Sequence, residues 1–272
     1  MRAGDEVVAV YDAAGRVTGA APRGEGVGNG MATAILFARE GARVVLVGES
    51  AEATVRAVDV TLDARGRAAY TLVTPAGQAP VRLAVTGRHQ VGNTLAAAAV
   101  ALEAGMAPAA VAAALGEVGI VSGRRMDVFD TAGGVTVIDD SYNANPSSTA
   151  AALQALAALG RGRRTTAVLG YMAELGPFET SGHQEVGRLA AELGIDRLIA
   201  VADNAAPILH GAATVPAWQG AAVLAADQAA AVTALRGDLR SGDVVLVKGS
   251  RYRTWEVADA LRADAAQQEV SP

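Results

Sequence analysis

The sequence predicts an α/β protein whose C-terminal half holds a mostly parallel sheet with helices on both faces. Two observations carry this. From Arg124 onward the strand-like runs Val135–Ile138, Thr165–Leu169, Arg197–Val201 and Val244–Val247 alternate with helical patterns at about Ser147–Leu159, Ser181–Leu193, Asn204–His210, Asp227–Leu235 and Thr254–Ala263. Such alternation is the pattern of strand–helix–strand crossovers, which leave neighbouring strands parallel. Before Gly87 the texture differs. Val55–Thr61, Ala68–Val73 and Val81–Val85 are separated by the turn signals Asp63–Gly66 and Pro75–Gly77, the mark of a small antiparallel meander.

The other elements follow in order. Val7–Val10 reads as a short strand. A glycine-rich stretch from Gly19 to Gly30 leads into a helical pattern over Met31–Glu40, which Gly41 stops, and Arg43–Val47 reads as a buried strand. Val91–Ala104 is an Ala/Leu helix ended by Gly105. Pro108 suits the first turn of a further helix to about Leu115, where the N–H that proline lacks has no intrahelical use. Glu117–Gly123 is the connector at which a domain boundary is expected, and the tail 267–272 is expected to fray.

Composition narrows the chemistry. The 272 residues suffice for two modest domains, and 51% hydrophobic against 19% charged residues supports a sizeable core rather than disorder. Only 4% are aromatic, so that core is built mainly of Ala, Val and Leu. A net charge of −5 argues against bulk nucleic-acid binding and against an anionic membrane surface. The absence of cysteine excludes disulfides, thiolate zinc sites and a cysteine nucleophile, and three histidines argue against an all-His metal cage. No apolar run reaches transmembrane length and no apolar h-region follows the charged N-terminus, so a soluble cytoplasmic protein is expected. All but one of the 23 basic residues are Arg, the exception being Lys248. In a chain so biased toward Arg, a retained Lys points to a need for its compact ammonium.

In parallel sheets ligands sit beyond the carboxyl ends of the strands, so the residues that follow each strand are the informative ones. After Val135–Ile138 come Asp139, Asp140, Ser141, Tyr142, Asn143, Ala144 and Asn145. The carboxylates suit a ribose hydroxyl or a cation and the amides a polar substrate, while Asn145 or Ser147 can cap the next helix. After Thr165–Leu169 come Gly170, Tyr171, Met172, Ala173 and Glu174, where the glycine permits close approach of backbone to a ligand, and His183 lies on the following helix. After Val244–Val247 come Lys248, Gly249, Ser250 and Arg251, which suit a carboxylate or phosphate. Upstream, Gln90 and Asn93 stand three apart on one face of the Ala-rich helix, and each amide can donate and accept, as an adenine edge requires.

These segments resemble the Mur ligases. From about Gly48 to Arg262, TGRHQVGNTLAAAAVAL, SGRR, VIDDSYNANPSS, VLGYMAELG, the HQEVG around His183 and VLVKGSR occur in the family's order, most similar to its MurF type. The resemblance implies a remnant of a central ATPase domain over 49–120 and a Rossmann-like C-terminal domain over 121–272. It also implies an ATP- and Mg2+-dependent amide ligase of peptidoglycan precursor synthesis, joining D-alanyl-D-alanine to UDP-MurNAc-tripeptide through an acyl-phosphate. Carried over by motif, Gln90 and Asn93 would face adenine, Arg124 would reach the phosphates, and Asp140 would hold the ribose or orient the nucleotide. Asn143, Asn145, Lys248, Ser250 and Arg251 would line the nucleotide and incoming-dipeptide side, with Lys248 and Arg124 as the catalytic cations. Two positions depart from the family: Gln90 stands where it usually has Asn, and Tyr171 where it usually has Asp. With Lys248 the only Lys, the sequence has no G-x-x-G-K-[ST] loop and no counterpart of the family's carbamylated Lys, and no metal ligand is assigned. The isolated chain is therefore expected to be incomplete or inactive as a ligase.

Residues 15–47 carry a second resemblance. The stretch from Thr18 to Gly30 followed by MATAILFAREGARVVLV is similar to the cofactor loop of short-chain dehydrogenases, where glycines let the backbone approach a pyrophosphate at a helix N-terminus. No Tyr-x-x-x-Lys pair accompanies it. Residues 1–48 thus read as a segment apart. An NAD(P)-binding protein, and a nucleotide- or dipeptide-binding module without catalysis, are the alternative functions.

Overall fold

The structure, a computed structural model, describes residues 5–11, 17–20, 43–119, 123–249 and 253–268. The chain divides into two compact units, Met1–Gly119 and Ile120–Pro272. Most of the glycine-rich stretch and the helix expected over Met31–Glu40 lie outside the described residues.

In the first unit, β1 (Asp5–Tyr11), β2 (Val17–Ala20), β3 (Arg43–Gly48), β4 (Val55–Leu62), β5 (Arg67–Thr74) and β6 (Gly77–Thr86) form one sheet in the order β2-β1-β3-β4-β5-β6. β4 to β6 are the antiparallel meander, and β3 joins it by parallel pairing of Val47 and Gly48 with Val55 and Arg56. The sheet runs without a break across residue 48. Burial along β5 and β6 alternates, with Ala68, Tyr70 and Leu72 inward on one and Ala79, Val81 and Leu83 on the other. α1 (Gln90–Glu103) lays Val91, Leu95, Ala98 and Ala99 on this core, and α2 (Pro108–Glu117) adds Val111, Ala112 and Leu115. The Tyr70 hydroxyl meets the Thr94 hydroxyl of α1 at 2.8 Å, which satisfies the polar tip of a buried aromatic.

In the second unit, β7 (Asp127–Asp130), β8 (Thr136–Asp139), β9 (Thr165–Leu169), β10 (Arg197–Val201), β11 (Ala221–Ala225) and β12 (Val244–Lys248) form a sheet in the order β11-β10-β9-β12-β8-β7. All neighbours are parallel except β7, which runs against β8. α3 (Pro146–Leu159), α4 (Glu179–Glu192) and α5 (Ala206–Ala213) cover one face, and α6 (Gln228–Arg236) and α7 (Trp255–Gln268) the other. β8, β9 and β12 are buried at every position because successive side chains enter two covered faces. Leu246 packs toward α3–α5, while Val245 and Val247 pack toward α6 and α7.

Three strands that the sequence did not predict, β2, β7 and β11, all lie at sheet edges. Asp-Val-Phe-Asp of β7 lacks the apolar run that marks the central strands, and Ala-Ala-Val-Leu-Ala of β11, though apolar, is mostly exposed. From β9 the chain steps outward through β10 to β11, then returns to insert β12 between β9 and β8. Such a reversal is the kind of switch point beside which parallel sheets bind ligands, here at the carboxyl ends of β8, β9 and β12.

Candidate functional site

β12 pairs with β8 so that Val247 stands opposite Asp139, and the next residues, Lys248 and Asp140, leave the sheet side by side. Lys248 is only 2% exposed. Its ammonium donates to Asp140 Oδ2 and, at 2.9 Å, to the main-chain carbonyl of Asn143. Lys248, expected to present its ammonium to a ligand, instead turns it into the protein, because a carboxylate and a carbonyl are within reach on the neighbouring strand's loop. Burial pushes the ammonium's pKa down, and Asp140 works against that shift. The second oxygen of Asp140, Oδ1, accepts from the Met126 N–H at 3.0 Å. Asp140, the expected ribose contact, is thus already committed on both oxygens.

Asp139 is also buried, and its Oδ1 accepts from the Ser141 hydroxyl and N–H. Burial pushes its carboxyl above the ordinary range, against the pull of Ser141, Arg124 and Arg262.

The two arginines of SGRR part company. Arg124, expected to reach phosphates, bonds Asp259 Oδ2 at 3.0 Å and donates to the Trp255 carbonyl at 3.4 Å, which ties it to α7. Arg125 is exposed, its guanidinium lies 4.2 Å from the centre of the Tyr142 ring, and it forms no ion pair among the described residues. Arg125 was not singled out by the sequence, since no spacing rule tells which of two adjacent guanidinium groups stays exposed.

The remaining candidates divide in the same way. Asn143 Oδ1 accepts from the Ala144 N–H at 2.9 Å. Asn145 caps α3: its Oδ1 accepts from the Ser148 N–H at 2.8 Å, while the Ser148 hydroxyl accepts from the Asn145 N–H at 3.1 Å. Ser250 and Arg251 lie outside the described residues. In the first unit Gln90 and Asn93 share the first turn of α1, and Asn93 Nδ2 donates to Gln90 Oε1 at 2.9 Å. One amide group of Gln90 and the oxygen of Asn93 remain as a donor–acceptor pair.

At the end of β9, the Gly170 N–H donates to the Lys248 carbonyl at 2.7 Å. A Cβ on Gly170 would lie 2.2 Å from Thr254 Oγ1, and one on Gly249 2.4 Å from the same atom. The close approach that glycine permits here is between protein segments, rather than to a ligand as the sequence suggests.

His183 anchors the loop beyond. It is fully buried, its Nε2 accepts from the Met172 N–H at 2.8 Å, and its Nδ1 lies 2.7 Å from the Glu179 carbonyl and so carries the proton. Tyr171 stacks on its ring and donates to Glu179 Oε2 at 2.7 Å. A His183→Leu variant leaves the Met172 N–H without its acceptor. We expect a loss of about 1–2 kcal/mol in urea denaturation, the cost of one buried unsatisfied donor; unchanged stability would show that the loop is held by other contacts.

Comparison with known families separates the two resemblances. The Mur ligase middle domain matches residues 29–101, and the glutamate ligase domain of Mur ligases matches residues 124–251. The chain belongs to the Mur ligase family.

The UDP-N-acetylmuramoyl-tripeptide--D-alanyl-D-alanine ligase of Mycobacterium tuberculosis (strain CDC 1551 / Oshkosh) is 46% identical over 249 residues, covering 85% of this chain and 49% of that protein. The ligase of the same name from Escherichia coli (strain K12) is 41% identical over 132 residues, 48% of this chain and 28% of that protein. A crystal structure of MurF from Acinetobacter baumannii superposes with a TM-score of 0.67 at 29% identity, over 81% of this chain and 46% of that one. This Mur ligase chain thus spans about half the length of the curated relatives it matches. The middle-domain match begins at residue 29, so residues 29–47 belong to the Mur ligase match, and the dehydrogenase reading of that stretch is set aside.

Proposed function

We propose that this Mur ligase chain is the middle- and C-terminal-domain part of an ATP-dependent ligase that joins D-alanyl-D-alanine to UDP-MurNAc-tripeptide. The observation that carries this reading is the 46% identity to the M. tuberculosis ligase over 249 residues. In the reaction a peptide carboxylate oxygen attacks the terminal phosphorus of ATP and ADP departs. The dipeptide amine then attacks the acyl carbon and phosphate leaves. The first step crowds negative charge, so it calls for a forked cation held in place.

Arg125 meets that need in the second unit, being exposed, without a carboxylate partner among the described residues and held over the Tyr142 ring. Gln90 and Asn93 offer adenine a donor and an acceptor. Mg2+ enters the reading only through the family. The described residues hold no cluster of three or more His, Cys, Asp or Glu that could bind it, and no step is assigned to it.

The test is calorimetric titration of the chain with ATP–Mg2+, with D-alanyl-D-alanine and with NADP. Heat is expected from the first two. Arg125→Ala should weaken ATP binding roughly tenfold or more, the loss of one charge-assisted contact. Silence with ATP and dipeptide, or heat from NADP alone, overturns the reading.

A further inference from the structure

We infer that the Lys248–Asp140 pair is a positioning device that aims Arg125 at an anionic ligand group, and that Lys248 does not touch the ligand itself. The inference rests on the reading of Arg125 as the anion-facing cation. Lys248 grips both sides of the Arg125 cradle. On one side it holds Asp140, whose other oxygen accepts from the N–H of Met126, the residue after Arg125. On the other it holds the carbonyl of Asn143, the residue after Tyr142, whose ring carries the guanidinium. The Tyr142 N–H donates to the Arg124 carbonyl at 3.0 Å and closes the circuit between the two sides.

The backbone flanking Arg125 is left-handed at both neighbours, with φ of 62° at Arg124 and 51° at Met126. Side chains other than glycine rarely adopt that conformation unless surrounding bonds impose it. The Asp140–Met126 and Tyr142–Arg124 bonds are the ones that do so here. Without the ammonium, Asp140 becomes a carboxylate with little exposure and no counter-charge, and it gains by swinging toward water and releasing Met126. The choice of Lys follows from the space: the ammonium is 2% exposed, and a planar, forked guanidinium needs more room.

The experiment is NMR of the whole chain labelled with 15N-arginine. The Arg125 Nε–H, assigned by its disappearance in Arg125→Lys, should be shifted upfield by the Tyr142 ring current. In Lys248→Met that shift should be lost, while the Arg164 Nε–H signal at the amino ends of the strands stays in place. Inorganic phosphate, titrated into the wild-type chain, should move the Arg125 signal, and at least tenfold more phosphate should be needed in Lys248→Met. An upfield Arg125 signal that persists in folded Lys248→Met overturns the inference. Should that variant fail to fold, Asp140→Asn decides by the same signal, because it keeps the shape and removes the charge. If the shift depends on Lys248 but neither phosphate nor ATP moves the signal, the positioning role stands and the ligase reading of Arg125 falls.

Discussion

Gly187→Ala is expected to destabilise the second unit by about 3 kcal/mol or more, the upper end of what overpacking costs. α4 and α5 cross backbone against backbone at this point. A Cβ on Gly187 would lie 1.7 Å from the Ile208 carbonyl oxygen, and one on Gly211 1.9 Å from the Gln184 carbonyl oxygen. Neither obstacle is a side chain that can turn aside, so the helices must separate. Separation would open the layer where Val186, Ala190, Ile208 and Ala212 are buried. Urea denaturation followed by circular dichroism measures the loss. Gly237→Ala is the control: its φ is −69° and the nearest atom to a Cβ is 3.5 Å away. There the change should be neutral or stabilising by about 0.4–1 kcal/mol, because alanine restricts only the unfolded chain. Equal losses at both sites would refute the packing argument.

Arg164→Met is expected to cost about 3 kcal/mol near pH 7 and much less in acid. Arg164 bridges the amino ends of β9 and β12 through Asp243, with Nη2 at 2.6 Å from Oδ2 and Nε at 3.2 Å from Oδ1, and it also bonds Asp238. The Asp243 side chain is 7% exposed and that of Arg164 32%. Removing the guanidinium leaves a buried carboxylate with the Arg240 N–H at 2.9 Å and the more distant Arg240 charge, and that places the loss at the lower end of the range for broken buried pairs.

The pH dependence follows from the carboxyl. Burial alone raises the Asp243 pKa, but Arg164 and the Arg240 N–H outweigh burial and hold it below the ordinary carboxylate value. A depressed folded-state pKa contributes stability above the unfolded value of about 4, and that stability is lost as pH falls through the folded value. The gap between wild type and variant should therefore be widest near neutrality and close below about pH 4. A gap that is constant with pH would mean that lost packing, not the ion pair, dominates.

Much of this architecture was legible in the chain. The central strands of the second unit follow from apolar runs, and the meander of the first from alternation between turn signals. Gln90 and Asn93 share a helix face as their spacing predicts, and they bond each other. The edge strands β7 and β11 were not legible, because pairing rather than burial makes them strands. The side chains that follow the strands were legible as types, but not their partners. Asn145 spends its oxygen on a helix cap, Arg124 is drawn to α7, and Gly170 and Gly249 make room for Thr254.

Periodicity, turn chemistry and motif order act over a few residues, and by themselves they determined the meander of the first unit, the central strands and helices of the second, and the residue types that follow each strand. Which of those residues meet was decided only by the tertiary structure. Lys248 and Asp140 are 108 positions apart, and they touch because β12 inserts beside β8 with Val247 opposite Asp139. No local pattern carries that register, so none could tell that the chain's one ammonium points inward while Arg125 lies exposed on Tyr142. Burial makes the difference: a charge enclosed by the fold must take its partner from the fold, and what remains exposed is left for a ligand.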